Sequence, residues 1–191
     1  MKSTVTSENL FILQPVIDSN TARITKSPRL PREAQIWNDG ARISVPIIQP
    51  LKYEIDEFGE GVMPSVFNTA APLMSNRLID TFVECGAVNL EVFPATIIEV
   101  SSGSINLDYS AVNVVGIISL AKESDSYISS LNGLGNWISK FVVDDSKVPD
   151  IIAFQLFESP GKIVIQKNLK EAIEEKSFPL LDFIPINNFT G

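Results

Sequence analysis

Short apolar segments that are rich in β-branched residues and end at proline or glycine dominate this chain, and they limit the folds open to it. Such segments indicate strands, because branched and aromatic side chains pack well on a pleated surface while glycine and proline mark the turns between them. The segments predicted as strands or extended chain span residues 10–17, 52–58, 89–93, 95–100, 107–121, 137–143, 151–157, 162–166 and 178–186.

The clearest predicted helix follows Pro72. Five apolar residues recur there at the spacing of one helical face, namely Met74, Leu78, Ile79, Phe82 and Val83. Ser75 is expected to cap the first turn, and Gly86 is expected to end the helix in a left-handed conformation.

A second, shorter helix is predicted from Asn168, whose side chain is expected to cap it while Glu171 reaches back to the cap. Leu169, Ala172 and Ile173 form its inward face. Strands outnumber helices, and the helices do not alternate regularly with them. The sequence therefore predicts an α+β fold, with a mostly antiparallel or mixed sheet and a few short helices.

The chain of 191 residues is long enough to bury a sizeable core, and its 45% hydrophobic content is not typical of disorder. We expect a frayed N-terminus at residues 1–8 and one α+β domain over residues 9–191. The domain is predicted to be irregular to about residue 60, because four prolines interrupt residues 27–50. Within that stretch, residues 38–40 predict a turn between Ile36-Trp37 and a strand at residues 41–45.

Two features concern the compartment. No apolar run approaches the roughly 18 residues of a membrane span, and the apolar patch at residues 10–13 is too short for the core of a signal peptide. Cys85 is the one cysteine, so an internal disulfide is excluded; we interpret it as a small core residue on a helix. A cytoplasmic protein is expected.

Acidic residues outnumber basic ones by 23 to 15, which gives a formal net charge of −8. A field of this sign repels nucleic acid and anionic membranes and attracts a basic partner. Solubility alone is the other explanation of the charge.

The chain contains no histidine. Serine–histidine–aspartate and cysteine–histidine machinery is thereby excluded, and zinc lacks its usual nitrogen and sulfur ligands. We expect no catalytic residue, no cofactor and no metal, although sites built only from oxygen ligands pass this test. The acidic clusters do not have the spacing of a calcium loop, and residues 133–137 lack the third glycine of a dinucleotide-binding loop.

In residues 72–94, Ser75 opens a helix, Gly86 ends it, and a strand finishes at Pro94. With these features the chain resembles an immunity-protein family of bacterial polymorphic toxin systems, family eleven, formerly a domain of unknown function. Further matching segments are residues 109 and 113–116, Ser124, and residues 154–156, 163–165, 169–175 and 183–185. The resemblance covers roughly residues 60–186 and consists mainly of apolar positions and turn residues.

The resemblance implies a cytoplasmic antidote that binds a cognate toxin and occludes its active site. The toxin is expected to be basic, and a homodimer is possible. The residues expected to bind the toxin are Glu54, Asp56, Glu57, Glu60, Asp144, Asp145, Asp150 and Trp137. Plain solvated surface is the other interpretation of these acids, and a core or half-buried position is the other interpretation of Trp137.

Two further functions stay open from the sequence. One is a hydrolase working through carboxylates, which requires several acids to converge in one pocket. The other is a structural adaptor subunit of a secretion or phage-like assembly, which requires a large apolar face for self-association.

Overall fold

The computed structural model describes residues 5–19, 21–32, 37–55, 62–130 and 136–191. Its strands, in chain order, are β1 (Leu10–Pro15), β2 (Ile24–Lys26), β3 (Leu51–Ile55), β4 (Val66–Phe67), β5 (Leu73–Ser75), β6 (Leu90–Glu99), β7 (Ile105–Asn106), β8 (Tyr109–Val114), β9 (Ile117–Ile118), β10 (Tyr127–Ser130), β11 (Asn136–Lys140), β12 (Ala153–Leu156), β13 (Ile163–Gln166) and β14 (Leu181–Pro185). Its helices are α1 (Asn76–Glu84) and α2 (Lys167–Lys176). The predicted α+β class is confirmed.

A seven-stranded mixed sheet has the order β2-β3-β6-β8-β5-β4, with β7 paired to β6. Strand β6 is continuous, whereas the sequence predicted two strands separated by Pro94. The first half of β6, up to Pro94, pairs with β8, and the second half pairs in parallel with β3. Pro94 therefore lies where the main partner of the strand changes, a position at which a missing backbone N–H is tolerated.

A five-stranded sheet has the order β14-β1-β13-β12-β9, and β10 and β11 form a separate two-stranded ribbon. The predicted strands at residues 151–157 and 162–166 are confirmed as the antiparallel pair β12 and β13. The single predicted strand over residues 107–121 is wrong, because it divides at Gly116, which has a φ of 109°. The chain passes there from β8 in the larger sheet to β9 in the smaller one.

Helix α1 begins and ends with the capping residues that the sequence predicts. The Ser75 hydroxyl accepts a hydrogen bond from the Leu78 N–H, and Gly86 has a φ of 94°. The predicted apolar face is partly wrong: Met74 is buried but belongs to β5, and Val83 is exposed. The face that α1 buries consists of Leu78, Ile79, Thr81 and Phe82.

Helix α2 begins one residue earlier than predicted and is not capped as predicted. Gln166 precedes its first residue and makes no capping hydrogen bond through its side chain. The Asn168 side chain instead accepts from the neighbouring Leu169 N–H, and Glu171 lies 3.8 Å from the Lys167 ammonium. Leu169 and Ile173 are buried as predicted. Among the described residues, no helix is long and apolar enough to span a membrane.

Three apolar clusters hold the layers together. The first contains the buried faces of α1 and α2 between the two sheets, and the second lies between the five-stranded sheet and the ribbon. The third lies between the seven-stranded sheet and the N-terminal segment that includes Trp37. Burial of apolar area at about 25 cal/mol per Å² is the main favourable contribution in each.

The predicted strand at residues 41–45 is absent, so these residues do not form the predicted hairpin around residues 38–40. Ile36, on the other side of the turn, lies outside the described residues. The backbone here bonds to distant side chains instead of to a neighbouring strand. Asn113 donates to the Ala41 carbonyl, and the Ile43 N–H donates to Glu91. The turn itself is present, and its Gly40 carbonyl accepts from the Gly116 N–H at 2.7 Å.

Candidate protein-binding surface

Of the acids predicted to bind a toxin, the structure describes Glu54, on a strand, and Asp144, Asp145 and Asp150, in a segment between strands. Glu54 is on β3, where its carboxylate is 2.6 Å from the Lys26 ammonium on the adjacent strand. Asp144 and Asp145 follow β11 at a 3-10 turn, Asp145–Lys147, beside the second apolar cluster. Asp56, Glu57 and Glu60 lie outside the described residues. Glu54 therefore lies beside the third apolar cluster, and the Asp144–Asp150 segment lies beside the second.

Two acids of that segment also make bonds within the protein. The Asp144 carboxylate accepts from the Ser146 N–H at 3.0 Å and from its hydroxyl at 2.6 Å. The Asp145 carboxylate accepts from the Ser7 N–H at 2.8 Å and thus holds the N-terminal turn Ser7–Asn9. Asp150 is exposed to solvent. These acids combine a structural role with a negative surface.

The pKa of Asp144 is below its ordinary value, first because the Ser146 hydroxyl and N–H bind the carboxylate and then because Lys147 and Lys122 are near. A pKa lowered by folding means that Asp144 stabilises the turn above the ordinary carboxyl pKa and loses that effect as the pH falls through the lowered pKa. We expect an NMR titration to place the Asp144 midpoint below that of an unfolded aspartate, and Ser146→Ala to raise it. Equal Asp144 midpoints in the wild-type protein and in the Ser146→Ala variant would contradict this explanation.

The ribbon formed by β10 and β11 separates apolar from exposed side chains. Its register pairs Ile128 with Ile138 and Ser129 with Trp137, and it shifts by one residue between Ile128 and Tyr127, which pairs with Lys140. Because side chains alternate along a strand, Ile128 and Ile138 face the protein, and Ile138 is fully buried. On the opposite face, 57% of Trp137 and 67% of Tyr127 are exposed. We call these two residues with Ser129 the aromatic face.

The ribbon is fixed to the body of the protein on its inner side. Ile138 exchanges backbone hydrogen bonds with Gly191, including a 3.0 Å bond from the Gly191 N–H. The Asn136 amide donates to the Glu158 carbonyl at 3.0 Å. The Phe141 and Phe189 rings pack edge to face beneath it, 6.3 Å apart. The exposed rings are therefore presented on a supported surface, which reduces the entropy lost on binding.

The two tryptophans have opposite environments. Trp37 is buried, only 2% exposed, and its ring contacts Phe93 edge to face at 5.2 Å. Trp137 is on the surface, so the alternative interpretation of it as a core residue is wrong. Tyr127 was not predicted as a site residue; the Lys140 ammonium lies over its ring at 5.6 Å. Tryptophan and tyrosine are enriched at the energetic centres of protein interfaces.

The carboxylate-dependent hydrolase requires acids that converge. Within the ranges described above, no three aspartate, glutamate or cysteine side chains are grouped closely enough to hold a metal ion. A shallow cavity of about 530 Å³ is lined by eight residues, of which Glu174 and Asp182 are acidic. Glu174 is 2.6 Å from the Lys170 ammonium. This cavity combines two acids with the apolar side chains of Phe178 and Phe183.

Two buried tyrosines, Tyr109 and Tyr53, have raised pKa values and make structural hydrogen bonds. Burial raises the pKa of Tyr109 to about 12, and its hydroxyl donates to the Pro64 carbonyl at 2.9 Å. Burial likewise raises the pKa of Tyr53, which donates to the Ala71 carbonyl. Cys85 is half-buried at the end of α1, and burial raises its pKa, which lowers its reactivity as a thiolate.

Comparison of the sequence with protein-family models and with curated proteins gives no match.

Proposed function

We propose that this chain is a cytoplasmic immunity protein that binds a cognate bacterial toxin and neutralises it by covering the toxin's active site. The observation that carries the proposal is the aromatic face, where Trp137 and Tyr127 are exposed on a ribbon whose other side is buried. Large rings that lose little conformational entropy, held on a supported strand, are typical of the residues that contribute most to protein interfaces. The resemblance over residues 60–186 supports the same function.

Charge supports a basic partner. The net charge of −8 accelerates encounter with a basic protein and disfavours association of two like-charged copies. Asp144, Asp145 and Asp150 contribute negative charge on the segment that follows the ribbon. Their role in the proposed interface is to guide and orient the toxin, while the aromatic face contributes most of the affinity.

The proposal is tested with the purified product of the neighbouring gene, in an inactivated form for binding and in an active form for growth. We expect a one-to-one complex by calorimetry and restored growth when both genes are expressed. The dissociation constant should rise as NaCl is increased from about 50 to about 500 mM, because salt screens the long-range attraction. Absence of both binding and protection would overturn the proposal.

A further inference from the structure

Strand β10 is an edge strand of the ribbon. It pairs with β11 on one side, and within the described part of the chain no backbone group pairs with it on the other side. An unpaired strand edge offers a row of N–H and C=O groups to which an extended segment of another chain can bind. Natural proteins often protect such an edge with proline or an inward charge, whereas β10 consists of Tyr127, Ile128, Ser129 and Ser130.

The hydrogen bonds of Ile138 show which backbone N–H and C=O groups of β10 point to this edge. The N–H and C=O of Ile138 both bind Gly191 and are therefore directed away from β10. In an antiparallel pair, hydrogen-bonded and non-hydrogen-bonded positions alternate, so the Ile128–Ile138 pair is of the non-hydrogen-bonded type. The N–H and C=O of Ile128, and those of Ser130 two residues further on, point to the open edge.

We propose that an extended segment of the toxin adds to the ribbon as a third strand along β10, bonded to the backbone of Ile128 and Ser130. This inference rests on the proposed function and specifies how that interface is made. Basic character in the segment fits the net charge of −8, which also opposes the addition of β10 from a second copy.

The aromatic face explains how such a segment is selected. A residue of the added strand opposite Ser129 lies on the same side of the ribbon as Tyr127 and Trp137, because directly opposed residues share a face. Ser129 is small and lies between that position and Trp137, which leaves room for a large side chain to reach the indole ring. Backbone bonds thus give affinity, and this position gives specificity.

Hydrogen exchange tests the proposal without a mutation. With the inactivated product of the neighbouring gene bound to the full chain, the Ile128 and Ser130 amides should exchange at least about tenfold more slowly than in the free protein. Protection that instead increases with the concentration of the chain alone would show that a second copy covers the edge, and would overturn the proposal.

A matched pair of variants provides the second test. Ser130→Pro removes the outward N–H, whereas Ser130→Ala keeps it and removes only the hydroxyl. We expect Ser130→Pro to raise the dissociation constant at least about tenfold and Ser130→Ala to change it less than about twofold, with thermal unfolding confirming that both are folded. If the wild-type chain binds but Ser130→Pro binds equally and the amides are not protected, strand addition is wrong and the proposed function stands. If the wild-type chain neither binds the toxin nor protects growth, both are wrong.

Discussion

Replacement of Gly40 by alanine is expected to lower the free energy of unfolding by about 3 kcal/mol or more. Gly40 has a φ of 65°, and a Cβ atom built on it lies 2.7 Å from the Ile117 nitrogen and 2.8 Å from the Gly116 carbonyl carbon. The left-handed conformation costs a side chain about 1–2 kcal/mol. The remainder comes from the backbone of residues 116–117, which must move and thereby disturb the bond between Gly116 and Gly40.

Gly103→Ala is the matched control for this prediction. Gly103 also has a positive φ, 72°, but no heavy atom lies within 4 Å of the added Cβ. It should therefore show only the conformational cost, about 1–2 kcal/mol, when the two variants are compared by urea unfolding. Equal destabilisation at the two positions would show that the backbone of residues 116–117 accommodates the added Cβ without a further cost.

Truncation of Trp137 to alanine is expected to weaken binding of the neighbouring gene product by about 2 kcal/mol or more, roughly thirtyfold in the dissociation constant. Trp137 is 57% exposed in the free protein, so most of its contribution is made only when a partner covers it. The free energy of unfolding should change by less than about 1 kcal/mol, because the core beneath the ribbon is formed by Ile138 and its neighbours.

Val88→Ala is the control for Trp137→Ala. Val88 is 91% exposed and lies in the connection between α1 and β6, away from the ribbon in the chain. Calorimetry should show unchanged binding for this variant and weakened binding for Trp137→Ala. Were both variants to bind as tightly as the unmodified chain, the aromatic face would not be the contact surface.

The parts of the fold that sequence predicted are those specified by neighbouring residues. Ser75 caps α1 and Gly86 follows its end because capping and left-handed turns depend on residues a few positions apart. The hairpin of β12 and β13 is specified in the same way by apolar runs on either side of a turn. Residues 41–45 were predicted wrongly because their partners, Asn113 and Glu91, are remote in the chain.

The candidate surface was predicted in part. Trp137 was selected because of its residue type, but Tyr127 was missed, since the short segment Tyr127–Ser130 has no clear apolar alternation and its strand was not predicted. The shared face of the two rings follows from the pairing of Ser129 with Trp137 and from alternation along β10, which places Tyr127 on the same side as Ser129. The intramolecular bonds of Asp144 and Asp145 were equally inaccessible, because the partner of Asp145 is Ser7, at the other end of the chain.

Acrylamide quenching of tryptophan fluorescence tests most directly whether a partner protein covers the ribbon. Trp37 is buried, so the accessible emission comes from Trp137. Saturating the chain with the inactivated product of the neighbouring gene, itself prepared without tryptophan, should sharply reduce quenching and shift the emission to shorter wavelength, and Trp137→Phe should abolish both changes. Quenching that stays at the level of the free protein in a complex proven by calorimetry would contradict the account.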